Sequence, residues 1–279
     1  MTRCRGFCTE YGMLLREVEY ARPASVQDAL RVLTEQEGAR ALAGGQTLIN
    51  VMKARAASPD VVVDLQDLAE LRGIELGSDG TVELGAMTTY TDVIESAEAR
   101  ARPILGDVCA QIADVQVRNR GTIGGNVCSN DPTNHLPPLF VAVGATMTIA
   151  GADGERTVPA EEFFLGVYMT AAGPGELLTK VSVPPGKSDG FASVAIGKDG
   201  TCIVNAAASA NGQIRIVIGC VDAVPVVVRP ESADSDAVVE AVRGAELDPP
   251  ADVHASADYR RHLAEVLAVR AVEQAQKGR

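Results

Sequence analysis

The sequence predicts an α+β protein in three parts, and three observations carry that prediction. Residues 18–65 alternate short β-branched runs with helical runs. From Ile74 to about Val183, short strands interleave with helical pieces. After the break at Pro184-Pro185-Gly186, alternating strands are divided by Asp199-Gly200 and Asn211-Gly212, two strong hairpin signals, and two helical runs follow. The expected boundaries are an extension without regular structure over 1–17, an N-terminal α/β part over 18–70, a mixed α+β part over 71–184, and a C-terminal antiparallel sheet with helices over 185–279. Patterned sequence begins soon after Met13, which makes Met13 the expected native start.

In the first part, "VEYARP" reads as a strand. "SVQDALRVLTEQEG" reads as a helix with Ser25 as N-cap and Gly38 at its end; Val26, Ala29, Leu30 and Leu33 keep helical spacing. "ARALAGG" is a buried strand closing on two glycines, "TLINVMKARA" a helix, and "DVVVDL" a β-branched strand. In the second part, "GIELG", "TVELGA", "GATMTIAG", "ERTVPA" and "LLTKVSVP" are strands. "TTYTDVIES" and "ARPILGDVCAQIA" are helical. In the third, "SDAVVEAVRG" and "SADYRRHLAEVLAVRAVEQAQ" are helices; Leu263, Val266 and Leu267 supply the apolar stripe of the second.

Composition narrows the function. Of 279 residues 46% are hydrophobic, so the chain can bury cores and is not disordered as a whole. The net charge is −12, Trp is absent and aromatics are 4%, which argues against nucleic acid and anionic membranes. No run of apolar residues is long enough to span a bilayer, and the first residues lack a signal-peptide pattern, so a cytoplasmic location is expected. The six cysteines, Cys4, Cys8, Cys109, Cys128, Cys202 and Cys220, read as free thiols, and no spacing among them makes a metal site. Serine-hydrolase and His-Glu-x-x-His patterns are missing, as are Rossmann and Walker fingerprints.

Two glycine loops remain. Ala43-Gly44-Gly45-Gln46-Thr47 sits where a strand enters a helix, so free N–H groups and a positive dipole end meet at a backbone that a ligand can approach closely. Alone, it is equally a tight turn with Thr47 as N-cap. Gly121-Thr122-Ile123-Gly124-Gly125-Asn126 repeats the pattern nearly eighty residues on. Together the two could hold both ends of a long phosphate-bearing ligand, with backbone N–H groups offsetting the acidic net charge.

Several neighbours have two readings each. His135 is a nucleotide contact or proton donor, or a loop residue capping Asp131-Pro132-Thr133. Asp131 is a turn starter or a ligand contact. Cys128 is a redox thiol or a small buried residue. Tyr168 covers a ligand face or belongs to the core. Arg118 and Arg120 neutralise phosphate, pair with carboxylates of a partner subunit, or form ordinary ion pairs.

The loops, with Val51-Met52-Lys53 after the first and Asp131-Pro132 after the second, resemble the FAD-binding medium subunit of the molybdenum hydroxylases. That family includes the flavoprotein subunits of aerobic carbon monoxide dehydrogenase and of bacterial xanthine dehydrogenase-like enzymes. "EYARPASVQDAL" resembles its opening, "GVYMTAAGPGELLTKVSVP" its middle-to-C-terminal junction, and "SADYRRHLAEVLAVRAV" its closing helix, so the likeness runs collinearly from about Val18 to Val272.

The resemblance implies a two-part FAD-binding fold, made of the first two parts, followed by the C-terminal sheet and helices. Ala43, Gly44, Gly45, Gln46 and Thr47, with Gly121, Thr122, Ile123, Gly124, Gly125 and Asn126, would wrap the FAD diphosphate and ribityl chain. Ser129, Asp131, His135, Leu178 and Lys198 would add contacts, the ring system lying near the C-terminal part. His135 departs from the Asp that many relatives carry before Leu-Pro. Phe191 and Lys198 stand near a Tyr and a Lys of those relatives, with the register uncertain by a residue or two.

The implied function is an electron-transfer oxidoreductase subunit. A 2Fe–2S small subunit would supply electrons, and a molybdenum-cofactor large subunit would carry the substrate chemistry, as a heterotrimer or its dimer. Electrons would leave through FAD to NAD+, O2, a quinone or another carrier. The alternative is a free-standing FAD-dependent oxidoreductase acting directly on a small molecule. No catalytic acid or base and no metal ligand is expected in this chain.

Overall fold

The computed structural model describes residues 2–3, 15–197 and 200–278. Three sheets organise it, one for each expected part. The first is four-stranded, with strands Thr2–Arg3, Glu19–Ala21, Val61–Asp64 and Ala39–Leu42 in that spatial order. Val61–Asp64 is central, paired in parallel with both Glu19–Ala21 and Ala39–Leu42, and its four residues are all buried, as a β-branched run between two neighbours requires. Helix Val26–Glu35 begins where Ser25 Oγ accepts from the Asp28 amide at 3.1 Å. Its Val26, Ala29 and Leu30 pack on the sheet. Gly38 adopts φ +71° just beyond the helix end. Of the extension expected over 1–17, Thr2–Arg3 form the edge strand; Cys4, Cys8 and Met13 lie outside the described residues.

The second sheet is antiparallel and five-stranded, ordered Ile74–Leu76, Val82–Gly85, Leu177–Val183, Thr146–Gly151 and Gly154–Pro159. Helices Tyr90–Glu95, Ile104–Cys109, Ile123–Ser129 and Leu136–Ala142 share one core with it. The expected helix over "ARPILGDVCAQIA" is shorter than its sequence pattern, since a 3₁₀ turn at Ala99–Ala101 precedes it. A small hairpin, Phe164–Gly166 with Met169–Thr170, stands beside this part.

The third sheet is antiparallel, in the order Asp189–Ala195, Cys202–Ser209, Arg215–Gly219 and Val226–Val228. The pairing of the second and third strands places a tight connection at Asn211-Gly212, while Lys198 and Asp199 lie outside the described residues. Helix Ala257–Lys277 covers one face with small residues. They allow close approach: a Cβ on Gly190 would lie 2.0 Å from the Ala271 carbonyl oxygen. The other face turns Phe191, Ala207 and Val217 into the core of the second part. Among the described residues no helix is long and apolar enough to cross a membrane.

Candidate functional site: two glycine turns that touch

The two glycine segments meet. A Cβ on Gly44 would lie 1.9 Å from the Arg120 carbonyl oxygen and 3.1 Å from Gly121 Cα, so the first turn rests directly on backbone entering the second. A Cβ on Gly125 would lie 3.4 Å from Ala43 Cβ. Only residues without side-chain bulk permit this approach.

The two segments do different work. The first runs from strand Ala39–Leu42 into helix Leu48–Lys53, with Gly45 at φ +75°. Among the described residues, the amides of Gly45, Gln46 and Thr47 have no protein acceptor. Thr47 makes no side-chain capping bond, so the capped-turn reading does not account for these amides. Gly45 and Gln46 edge a cleft of about 390 Å³ lined also by Ile49, Asn50, Lys53, Asp64, Gln66 and Arg120. Gln46 Nε2 donates to the Gly44 carbonyl at 3.2 Å and Asn50 Nδ2 to the Gln46 carbonyl at 2.7 Å, which braces the turn.

The second segment is not a loop. Ile123–Ser129 is a helix, with Thr122 as N-cap, and the Gly124-Gly125 pair lies in its first turn. Its leading amides are already used: Ile123 donates to Thr88 O at 2.9 Å, Gly124 to Ala86 O at 2.8 Å, and Gly125 to Thr122 Oγ1 at 3.0 Å. Most of the expected backbone donors for a ligand therefore come from the first turn; in the second segment, among the described residues, the Thr122 amide also has no protein acceptor. Gly121 and Gly124 are glycines for packing, since a Cβ would meet the Tyr90 ring at 2.6 Å and the Ala86 Cβ at 2.7 Å respectively. What this helix offers a ligand is Asn126. Its Nδ2 donates to the Tyr90 hydroxyl at 2.9 Å, while its buried Oδ1 has no partner. Burial of the Tyr90 ring holds its phenol protonated.

The cleft suits an anion despite the acidic chain. Lys53 and Arg120 both line it. Asp64 lines it too, but its carboxylate is committed: Tyr20 donates its hydroxyl to one oxygen, and the Gln66 amide donates to the other at 2.9 Å. Arg118 is elsewhere, donating to the Ile112 and Ala113 carbonyls, and does not line this cleft.

Beyond the far end of the helix the remaining candidates separate. Ser129 Oγ donates to the Asn126 carbonyl at 2.8 Å and accepts from Asn134 Nδ2 at 3.1 Å. Asp131 is a turn former that accepts from the Thr133 amide at 2.9 Å, and its second oxygen accepts from Tyr168 at 3.1 Å. Tyr168 is 60% exposed at φ +56°, not a core residue. His135 makes no bond to Asp131; its ring lies 5.4 Å from that of Phe191, and burial pulls its pKa down to about 4, leaving it uncharged at neutral pH. Leu178 is buried in the shared core. Cys128, whose thiol is pushed up to about 12 by burial, is the inert small residue rather than a redox thiol. Lys198 lies outside the described residues.

Sequence reasoning placed Lys53 in a motif but gave it no role, and passed over Asn50, Asp64 and Gln66. A signal existed for two of these: Gln46, Asn50 and Lys53 are spaced four and three apart, one polar face opposite Leu48, Val51 and Met52.

This arrangement, a turn of open amides joined to a helix carrying an unpartnered buried amide oxygen, suits a phosphate-bearing ligand with a hydroxyl to donate, without a Rossmann motif. The chain belongs to the family described as the FAD binding domain in molybdopterin dehydrogenase, whose family model matches residues 16–186. Over 94% of its length it is 37% identical to the carbon monoxide dehydrogenase medium chain of Afipia carboxidovorans, covering 98% of that protein. It is also 32% identical to the glyceraldehyde dehydrogenase medium chain of Sulfolobus acidocaldarius, over 92% of this chain and 98% of the other. Among solved structures, a chain of a Cu,Mo-CO dehydrogenase matches with a TM-score of 0.88 at 35% identity, covering 95% of this chain and 99% of that one. Quinoline 2-oxidoreductase from Pseudomonas putida 86 gives 0.87 at 33%, with the same coverages. The α+β fold expected from sequence is therefore the medium-chain fold, and the chain is an FAD-binding oxidoreductase subunit.

Proposed function

We propose that this chain is the electron-transfer subunit of a molybdenum hydroxylase, receiving electrons from a 2Fe–2S small subunit and delivering them to NAD+, O2, a quinone or another carrier. A molybdenum-cofactor large subunit would complete the heterotrimer. Relatives named as medium chains or medium subunits support this reading.

The observation that carries it is the contact of Gly44 with Arg120 and Gly121, which makes one site from two distant segments. FAD fits that site. The open amides of Gly45, Gln46 and Thr47, with Lys53 and Arg120, suit a diphosphate. Asn126 Oδ1 suits a hydroxyl donor, since a buried amide oxygen without a partner is costly. Bound FAD would supply the carrier between one-electron iron–sulfur centres and the final electron acceptor. The protein binds and orients it, and the neutral His135 ring against Phe191 keeps charge away from the junction with the third sheet. Ser129, Asp131, Leu178 and Lys198 are proposed as further contacts of the same cofactor.

The test is a tagged full chain purified from its native host. A yellow protein that brings down an iron–sulfur subunit and a molybdenum subunit is expected. A colourless protein that takes up no added FAD, or a yellow one recovered alone under gentle conditions, would overturn the proposal.

A further inference from the structure

Four large apolar side chains stand in solvent within five residues of one another. They are Leu165, Val167, Tyr168 and Met169, each between 46% and 60% exposed. All belong to the hairpin of Phe164–Gly166 with Met169–Thr170, which pairs with none of the three larger sheets. The hairpin is nevertheless firmly held. Phe163 and Phe164 at its base are buried, with their rings edge to face at 5.3 Å. Asn130 is buried too. Its Nδ2 donates to the Gly166 carbonyl at 2.6 Å, and its carbonyl accepts from the Tyr168 amide at 3.2 Å. The Tyr168 hydroxyl donates to Asp131 at 3.1 Å. Asn130 stands at φ +38° and Tyr168 at φ +56°, conformations uncommon outside glycine.

A braced hairpin that keeps four apolar side chains in water is a surface shaped for a partner. Its charge says which kind. From Gly121 to Thr179 the chain has one Lys or Arg, Arg156, against six acidic residues. Arg156 pairs with Glu176 and donates to the Ala171 carbonyl, and Arg229 pairs with Glu161. Glu162 is exposed next to the hairpin, and Asp131, bonded to Tyr168, shares a crevice with Asp222. A second copy of the chain would set this acidic surround against itself, because a two-fold interface brings the same patch to both sides. The partner that fits carries an apolar socket rimmed by Lys and Arg. The brace also fixes where that partner sits. Asn130 is the C-cap of Ile123–Ser129, one turn from Asn126, so a partner on the hairpin is held at the helix assigned to FAD.

We propose that the Phe164–Thr170 hairpin is the knob on which the 2Fe–2S small subunit docks, received in an apolar socket with a basic rim. This rests on the reading of the chain as an electron-transfer subunit, whose donor must come close to the flavin, and it adds the surface on which that donor sits. Burial of Leu165, Val167, Tyr168 and Met169 holds the two chains together. The acidic surround speeds and orients their encounter.

The test titrates the full chain with its purified iron–sulfur subunit, reading affinity by calorimetry and FAD content by absorbance. Val167→Glu with Met169→Glu should keep the wild-type FAD content and weaken binding at least about tenfold. Leu76→Glu, at an exposed apolar position outside the hairpin, should change neither. Added salt should slow association of the wild type. In the wild type, hydrogen peroxide should oxidise Met169 at least about fivefold more slowly in the complex than in the free chain. Full affinity in the hairpin variant, an equal loss in Leu76→Glu, or association indifferent to salt would overturn the proposal. So would Met169 protection that appears only with the molybdenum subunit or on self-association. A wild-type chain that binds no iron–sulfur subunit would overturn the electron-transfer reading and this proposal with it. The Met169 measurement decides even if the hairpin variant fails to fold.

Discussion

Gly44 and Gly45 are neighbours with separate duties. Gly44 is a glycine for contact, because a Cβ there would lie 1.9 Å from the Arg120 carbonyl. Gly45 is a glycine for conformation, at φ +75°. Gly44→Ala must therefore push the two segments apart. It should lower stability by about 1–3 kcal/mol in urea denaturation, the usual cost of overpacking, and it should weaken FAD retention measured by absorbance. His135 yields a different prediction at the same scale. Burial pulls its pKa to about 4 from the 6.5 of a free side chain. Below pH 6.5 the unfolded chain takes up a proton that the folded chain refuses, so stability falls as pH drops from 6.5 toward 4 and levels off below. The full contribution, reached below pH 4, is on the order of 3 kcal/mol. His135→Phe should flatten this acid limb in denaturation curves at pH 7, 6 and 5; an unchanged slope would show that other groups cause it.

Among the elements, the second and third sheets are joined by one buried pair. Arg102 and Asp189 are 1% and 4% exposed at the side chain; Nε and Nη2 bond the two carboxylate oxygens at 2.8 and 2.9 Å. Arg102 also donates to the Pro184 carbonyl, and Asn211 Nδ2 donates to Asp189 at 2.9 Å. Arg102→Leu strands a buried carboxylate and should cost about 3–5 kcal/mol, whereas Arg102→Leu with Asp189→Leu should recover much of that loss. Urea denaturation of the full chain measures both. This latch was hidden in the sequence, because the two residues are far apart in the chain and either alone looks like surface charge. Strands and hairpins were legible, since β-branched runs and Asp-Gly or Asn-Gly turns act locally. The helix at Ile123–Ser129 was not: glycine is a poor helix former, and what demands Gly124 there is the approach of Ala86. Its one local sign was Thr122 capping the Gly125 amide.

Across the whole molecule, the first sheet's turn rests on backbone entering the second part's helix, and the third sheet meets the second part where Phe191 lies against the His135 ring. Both halves of the grip lie in one chain, so FAD binding should survive separation from any partner. The glycine pairs were legible as a binding signal; their unequal division into donor turn and packed helix was not, because hydrogen-bond partners such as Thr88 and Ala86 arrive only with the fold. The most direct measurement is FAD stoichiometry in two variants that impose the same backbone strain in different places. Gly45 and Gly154 both hold left-handed φ, at +75° and +109°, and only Gly45 edges the cleft. Wild type and Gly154→Val should hold close to one FAD per chain, and folded Gly45→Val less than about a tenth of that, since its side chain forces the turn out of the conformation that opens its amides. Full FAD content in a folded Gly45→Val would contradict the account.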